Sequence, residues 1–154
     1  MTGFKIRNED YADRVRGSFA RQGFMGALGA KLTRAAPGSV EIQVPYNKDL
    51  TQQHGFYHGG VIGAIADTAG GYAAFTLIAA SESLLTIEYK LNIMAPADGE
   101  LLISRGRVLR PGRRVTVSQS DVFVVREGME KLCATMLGTF MTLSDIADEP
   151  AAQE

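Results

Sequence analysis

The sequence has a single cysteine, Cys133, so no disulfide can form within the chain and we expect a reducing compartment. It has almost no net charge either: 16 basic against 17 acidic side chains give −1, which offers no electrostatic reason to bind nucleic acid. Residues 1–19 are polar and lack the apolar core of a secretory signal, which favours a cytoplasmic protein. A chain of 154 residues can bury a core without disulfides or metals.

Two helices are predicted from the hydrophobic periodicity. The first covers residues 8–20, because Asn8 can cap it and apolar side chains recur behind it at helical spacing. We expect Gly23 and Gly26 to end this helix. The second helix is long and covers residues 59–79.

The remaining pattern predicts strands. A turn signal at 35–38 separates two of them, and after the long helix the apolar period changes from helical to alternating. The later strands are predicted at 84–94, 101–109, 114–125 and 131–143. The sequence therefore predicts one α+β domain over 1–144, with a central helix against an antiparallel sheet of five or six strands. Residues 145–154 are predicted to be a disordered acidic tail.

The long helix contains one charge, Asp67, in the otherwise apolar run 59–80. This run is long enough to cross a bilayer, but it is rich in Gly and Ala, and no positive cluster flanks it. We therefore expect no membrane association and a helix buried on all sides by protein. Burying a carboxylate is costly unless something uses it, so Asp67 is the predicted centre of chemistry.

Every neighbour of Asp67 on its own helix face is small. Two explanations stay open: these residues let a ligand or a second backbone approach, or the helix packs closely on a curved sheet. Close packing explains the glycines well but explains Asp67 poorly. The small residues are Gly60, Gly63, Ala64, Gly70, Gly71 and Ala74, and the opposite face carries the bulky Val61, Ile65, Tyr72 and Phe75.

Gly59 lies where the long helix begins, and its free backbone N–H suits a developing oxyanion. Asp67 could serve the same carbonyl as nucleophile or general base. Eight residues of helix separate the two by roughly 12 Å, so one helix cannot bring both to one carbonyl. Two antiparallel copies related by a two-fold axis can, which predicts a homodimer with two composite sites.

The segment from Gln52 through His58-Gly59-Gly60, followed by Asp67, resembles the hotdog-fold acyl-CoA thioesterases of the PaaI (phenylacetate-degradation) type. The resemblance extends to the N-terminal helix, the strand ending at 93–96 and the hairpin at 107–114. It implies a hotdog fold, in which the sheet wraps around the long helix. It also implies a homodimer as the minimum active unit and a homotetramer as the assembly.

The resemblance also implies roles for individual residues. Asp67 would be the catalytic carboxylate and the Gly59 N–H the oxyanion donor. Gln52 would hold the thioester or the attacking water, and Thr86 would position water. Independently of the resemblance, we expect His58 to order the loop and the helix start by hydrogen bonding rather than to bind a metal. Family members with Gln at the first position often pair it with Glu rather than Asp, so direct attack and water activation both stay open for Asp67.

The two histidines, His54 and His58, have His-x-x-x-His spacing, but no third ligand is spaced to complete a metal site. We expect neither a metal nor an organic cofactor, with coenzyme A entering only as part of the substrate. Arg110, Arg113 and Arg114 are predicted to bind its phosphates, although a solvated hairpin remains the alternative for each of them.

The expected reaction is hydrolysis of an acyl-CoA thioester, aryl-acetyl or medium-chain fatty acyl, to the free acid and CoA. One alternative is a hotdog dehydratase, although its catalytic histidine motif is not found here. The other is a hotdog protein that binds an acyl-CoA or an aromatic ligand without catalysis.

Overall fold

The computed structural model describes residues 3–146 and Asp148, and its order of elements is simple. Two short helices precede a strand hairpin, a long helix follows, and four strands complete the chain. The elements are α1 (Tyr11–Ala20), α2 (Gly23–Ala27), β1 (Lys31–Ala36), β2 (Ser39–Pro45), a 3-10 turn (Lys48–Leu50), α3 (Gly59–Phe75), β3 (Glu82–Ile93), β4 (Leu101–Arg110), β5 (Val115–Arg126) and β6 (Met129–Ser144).

The six strands form one antiparallel sheet in the order β1-β2-β4-β5-β6-β3. Alternate residues face α3, as in β2, where Val40, Ile42 and Val44 are buried and the residues between them are half-buried. The predicted α+β hotdog fold is confirmed, with six strands around one long helix. The order places β1 and β3 at the two edges of the sheet.

Close packing between α3 and the sheet explains several of its glycines. A Cβ on Gly70 would lie 3.0 Å from the Met136 side chain and 3.1 Å from the Ser120 hydroxyl. A Cβ on Gly106 of β4 would lie 2.2 Å from the Ala69 carbonyl oxygen, so only glycine fits there. The Ser120 hydroxyl also donates a hydrogen bond of 2.7 Å to the Ala66 carbonyl. The close-packing explanation is therefore confirmed for this part of the helix.

The predicted helix boundaries need two corrections. Gly23 and Gly26 do not simply end the first helix, because they lie inside the separate short helix α2. The long helix ends at Phe75 rather than at residue 79. The Thr76 hydroxyl donates to the Ala73 carbonyl and accepts from the Gly38 N–H in the β1–β2 turn, which anchors the helix end there.

The prediction that α3 is buried on all sides is wrong for one stripe. The face carrying Val61, Ile65 and Tyr72 is buried, whereas part of the Asp67 face is half-buried or exposed. In the described chain the sheet covers only part of the helix, and the uncovered stripe is rich in small residues. The stripe consists of Gly60, Ala64, Asp67, Thr68 and Gly71.

Most of the predicted disordered tail, 145–154, lies outside the described residues. Asp148 is described, and its carboxylate pairs with Arg21 at 2.8 Å. In the part of the chain that the structure describes, no helix is long and apolar enough to cross a membrane.

Candidate active site

Asp67 and Thr86 lie together, as predicted. The Thr86 hydroxyl on β3 donates a hydrogen bond of 2.9 Å to an Asp67 carboxylate oxygen on α3. A bulge between Thr86 and Glu88 shifts the register of β3 against β6. Because of that extra residue, Thr86 and Tyr89, three positions apart, both point toward α3.

Burial raises the pKa of the Asp67 carboxyl, and the Thr86 hydrogen bond lowers it in part. Burial disfavours the ionised form, while the hydroxyl stabilises it by donating to it. A carboxylate with a raised pKa is a stronger base than an ordinary surface aspartate. Asp67 therefore combines a perturbed pKa with a hydroxyl that donates to its carboxylate, which is typical of a functional site.

The start of α3 leaves one backbone donor unused. His58 is the N-cap: its Nδ1 accepts from the Gly60 N–H at 2.8 Å, and its carbonyl accepts from Val61 at 3.0 Å. Among the described residues, no acceptor bonds the Gly59 N–H. This N–H lies at the positive end of the helix dipole, where an oxyanion is stabilised. The predicted ordering of the helix start by His58 is seen directly in this cap.

Gln52 lies in the loop before α3. Its backbone N–H donates to the Phe56 carbonyl at 2.9 Å, and its side-chain oxygen accepts from the His54 N–H. Gln52 and Gly59 line one surface cleft beside Ile93. The structure thus brings these two predicted residues together.

Four of the five predicted catalytic residues form two separate half-sites within one chain. Asp67 and Thr86 line a cavity of about 140 Å³ between α1, α3 and β3. Gln52 and Gly59 line the cleft at the start of α3, and Asp67 borders two other clefts that contain neither of them. This separation matches the roughly 12 Å that eight helical residues impose.

The sequence analysis missed the contribution of α1 to the Asp67 cavity. Ser18 and Gln22 reach the far side of this cavity, where Ser18 Oγ lies 3.0 Å from the Tyr72 hydroxyl. The Gln22 amide donates to the same hydroxyl at 3.1 Å. One signal was available: Ser18 is a polar residue between Val15 and Phe19 on the apolar stripe of the helix.

The three predicted CoA-binding arginines, Arg110, Arg113 and Arg114, are exposed around the β4–β5 turn. Within residues 3–146 and Asp148 none of them forms an ion pair. Arg113 lines a groove with Lys5, near the end of α3. These side chains therefore lie near the C-terminal end of α3, opposite to the end that begins at Gly59.

The described residues contain no group of three His, Cys, Asp or Glu side chains close enough to hold a metal ion. Cys133 is buried, its Sγ donates to the Val122 carbonyl at 3.3 Å, and burial raises the pKa of its thiol to about 11. Such a thiol stays protonated and unreactive near neutral pH.

The sequence matches the model of one known protein family. The sequence model of the Thioesterase superfamily matches residues 54–131, about half of the chain. The chain belongs to the Thioesterase superfamily. The matched residues include both histidines, the free Gly59 N–H, Asp67 and Thr86. Membership of this superfamily points to thioester hydrolysis.

Individual relatives and solved structures support the family assignment to different extents. A thioesterase family protein from Silicibacter pomeroyi is 46% identical, with a TM-score of 0.86, over 87% of this chain and 98% of that one. The proofreading thioesterase EntH of Klebsiella pneumoniae is 28% identical over 113 residues, 73% of this chain and 80% of that protein. The PaaI protein of the E. coli phenylacetic acid degradation operon has a TM-score of 0.80 at 16% identity, covering 92% and 99% of the two chains, and so shares the fold.

Proposed function

We propose that this thioesterase-superfamily protein hydrolyses an acyl-CoA, aryl-acetyl or medium-chain fatty acyl, to the free acid and CoA. The observation that carries the proposal is the Thr86–Asp67 hydrogen bond, which holds a carboxylate of raised pKa at the open stripe of α3. Carboxylates in this state serve as bases and nucleophiles toward carbonyl carbon.

The reaction has two routes, and both convert the thioester and one water into the free acid and CoA. Asp67 attacks the thioester carbonyl, the C–S bond breaks, and water hydrolyses the resulting anhydride; or Asp67 removes a proton from water, which attacks directly. In both, the carbonyl oxygen gains charge and the Gly59 N–H stabilises it. Gln52 holds the carbonyl or the water, and CoA leaves as a thiolate that takes up a proton.

A composite dimer would unite the two half-sites, and the edge strand β3 offers the surface for it. This strand has 12 residues and no proline, and it exposes large apolar side chains. A long apolar edge is a template for pairing with another strand. Antiparallel pairing of two β3 strands would bring the partner's Gly59 toward Asp67. The exposed side chains are Leu85 (60%), Ile87 (51%), Tyr89 (44%) and Ile93 (51%).

The homotetramer remains a proposal of the same kind. The outer face of the sheet exposes Leu137 (51%) and Leu132 (41%) on β6, which a second dimer could cover. Sedimentation or light scattering at assay concentration distinguishes dimer from tetramer.

We also propose that Arg110, Arg113 and Arg114 bind the phosphates of CoA. Replacing Arg113 and Arg114 by Ala should raise KM several-fold for an acyl-CoA, because each phosphate contact is lost. The same variant should leave KM unmoved for the N-acetylcysteamine thioester of the same acyl group, which has no phosphate. Arg16→Ala on α1 is the matched control, and equal effects on both substrates would contradict the proposal.

The decisive test of the function is free-thiol release from aryl-acetyl, benzoyl and fatty acyl-CoAs. Asp67→Asn should lower turnover by about a hundredfold or more, the range of a lost general base. Asp121→Asn is the matched control, since Asp121 is half-buried on the outer face of the sheet and bonds Thr135. Binding of acyl-CoA with no release by the wild type would instead favour a non-catalytic binding protein.

A dehydratase is not favoured by the geometry, because such an enzyme needs a catalytic histidine. His54 is exposed in the loop, and His58 uses its Nδ1 to cap α3.

A further inference from the structure

The loop before α3, residues 51–58, carries the Gln52–Gly59 half-site, and we call it the site loop. The Gln52 backbone N–H donates to the Phe56 carbonyl at 2.9 Å, which makes the loop compact. Most of the site loop is half-buried or exposed, whereas Tyr57 is buried, with 3% of its surface exposed. Tyr57 is therefore the side chain that anchors the site loop in the core.

Tyr57 contacts two segments that are distant in the sequence. Its hydroxyl donates a hydrogen bond of 3.0 Å to the carbonyl of Val44, near the end of β2. Its backbone N–H donates to the Ala97 carbonyl at 3.0 Å, in the connection between β3 and β4. Its ring packs edge-on against the Tyr46 ring, with 5.7 Å between the centroids. Tyr57 thus fastens the site loop both to β2 and to the β3–β4 connection.

The hydroxyl bond of Tyr57 is shielded from water. Burial raises the pKa of this tyrosine, so the hydroxyl keeps its hydrogen at neutral pH. A buried and satisfied hydrogen bond makes the structure around it more rigid. A phenyl ring alone would fill the same space, so the hydroxyl is the part of Tyr57 that specifies where the site loop lies.

A movement of Tyr57 would reach both members of the half-site. His58, the next residue, caps α3 and precedes the free Gly59 N–H. Phe56, the residue before Tyr57, binds the Gln52 backbone N–H through its carbonyl. Tyr57 also lines the cleft that Gln52 and Gly59 share. Misplacing a reacting group by roughly 1 Å can cost on the order of a hundredfold in rate, so this anchor bears directly on turnover.

We infer that Tyr57 is a positioning residue for thioester hydrolysis, and that its hydroxyl bond to Val44 aligns Gln52 and the Gly59 N–H with the thioester. The inference rests on the proposed function. The oxyanion that the Gly59 N–H stabilises forms only in the transition state, so its misalignment should lower kcat more than it changes KM.

The first test is Tyr57→Phe, which retains the ring and removes the hydroxyl. Well below the melting temperature, kcat for an acyl-CoA should fall by about tenfold or more, while KM should change by less than about twofold. The acid limb of the pH profile, which Asp67 sets, should stay in place. A purely structural role for the hydroxyl predicts a lower melting temperature with unchanged kcat, and that result would overturn the inference.

Tyr46→Phe is the matched control for this variant. Tyr46 is 47% exposed and its ring contacts the Tyr57 ring, so removing its hydroxyl changes a neighbouring tyrosine but leaves the anchor in place. Its kcat should equal that of the wild type. An equal loss of kcat in Tyr46→Phe and Tyr57→Phe would also overturn the inference.

Mixed dimers of the proposed kind show which half-site Tyr57 serves, even where the Tyr57→Phe homodimer is unstable. Refolded together with Asp67→Asn, the Tyr57→Phe chain supplies Asp67 and the other chain supplies an unaltered Gly59 end. About one quarter of the wild-type activity should therefore return. Refolded with Gly59→Pro, which removes the oxyanion donor, Tyr57→Phe should give no such recovery.

A mixture of Asp67→Asn with Gly59→Pro is the positive control for both experiments. With mixed dimers present, no recovery beside Asp67→Asn would show that Tyr57→Phe damages its own Asp67 end as well, and recovery in both mixtures would show that it spares the Gly59 end. Either result would overturn the inference and leave the proposed function standing. No hydrolysis of any thioester by the wild type would overturn the proposed function itself.

Discussion

Asp67 is an ionisable group placed where its charged form is disfavoured, and Thr86 offsets part of that cost. The Thr86 hydroxyl donates to the carboxylate at 2.9 Å and so lowers a pKa that burial has raised. In the proposed reaction Asp67 must be ionised to attack or to accept a proton. Activity should therefore fall as the pH drops through the raised pKa.

Thr86→Ala should move the acid limb of the pH profile to higher pH. The substitution removes the hydrogen bond that favours the ionised carboxylate, so the pKa of Asp67 rises further. Thr86→Ser retains the hydroxyl and should restore the position of the limb. The measurement is kcat/KM against pH for the three proteins, and superimposable limbs for wild type and Thr86→Ala would contradict the role given to Thr86.

Asp67→Asn should raise the melting temperature at neutral pH while abolishing activity. A carboxyl whose folded pKa is raised contributes stability below its unfolded pKa and loses that contribution as the pH rises through the folded value. Wherever Asp67 is ionised, its charge therefore lowers the stability of the fold, and the neutral amide has no such effect. The gain should shrink as the pH is lowered into the range where Asp67 is protonated.

Thermal melting of the two proteins at neutral and acidic pH checks this prediction. A lower melting temperature for Asp67→Asn at pH 7 would show that the carboxylate stabilises the folded state instead.

Among individual residues, the sequence predicted Asp67 and Thr86 but not the contribution of α1 to the Asp67 cavity. A lone acid in an apolar helix is visible in the sequence, and the position of Thr86 followed from the family resemblance. The contact of Ser18 with Tyr72 joins residues 54 positions apart through the packing of α1 on α3, which no local pattern encodes.

Among the elements, the N-terminus of α3 is organised by one side chain. His58 satisfies the Gly60 N–H and thereby leaves the Gly59 N–H as the free donor. A capping residue acts through geometry, since it fixes the direction in which the first backbone donors point.

His58→Ala should destabilise the protein by about 1 kcal/mol, as expected for loss of an N-cap, and should lower kcat because the Gly59 N–H loses its alignment. His58→Asn supplies another capping acceptor and should recover most of both quantities. The shape of the pH profile should be the same in all three proteins. A His58→Asn variant as inactive as His58→Ala would indicate that the imidazole itself takes part in the chemistry.

The sequence predicted the existence and type of the main elements better than their ends. The alternation in β2 and the long helix are properties of local periodicity. The end of α3 at Phe75 depends on the bonds of Thr76 to Ala73 and to the distant Gly38, and the bulge after Thr86 depends on pairing with β6. Gly23 and Gly26 have low helix propensity, yet α2 forms around the buried Met25.

For the whole molecule, the central point is that one chain holds two half-sites that cannot meet. The helix that carries both Gly59 and Asp67 keeps them apart, and this separation could be predicted from helical rise alone. The strand order could not be predicted in this way, and it is what leaves β3 and its apolar side chains at an edge. The proposed dimer follows from these two observations together.

The most direct test mixes two inactive variants, Asp67→Asn and Gly59→Pro. Gly59 is the first residue of α3, a position that accepts proline because its N–H is not needed by the helix. A proline restricts the backbone of the residue before it to the extended region. His58, the residue before Gly59, already has φ −64° and ψ 141°, which lie in that region. Gly59→Pro therefore removes the proposed oxyanion donor and retains the helix.

Each variant alone should release almost no thiol from an acyl-CoA. After joint unfolding and refolding, random pairing should restore about one quarter of the wild-type activity, because half the dimers are mixed and each has one intact site. Differently tagged chains establish that mixed dimers have formed. Mixed dimers without recovered activity would contradict the composite site, and recovery would confirm that Asp67 of one chain and Gly59 of its partner act on the same thioester.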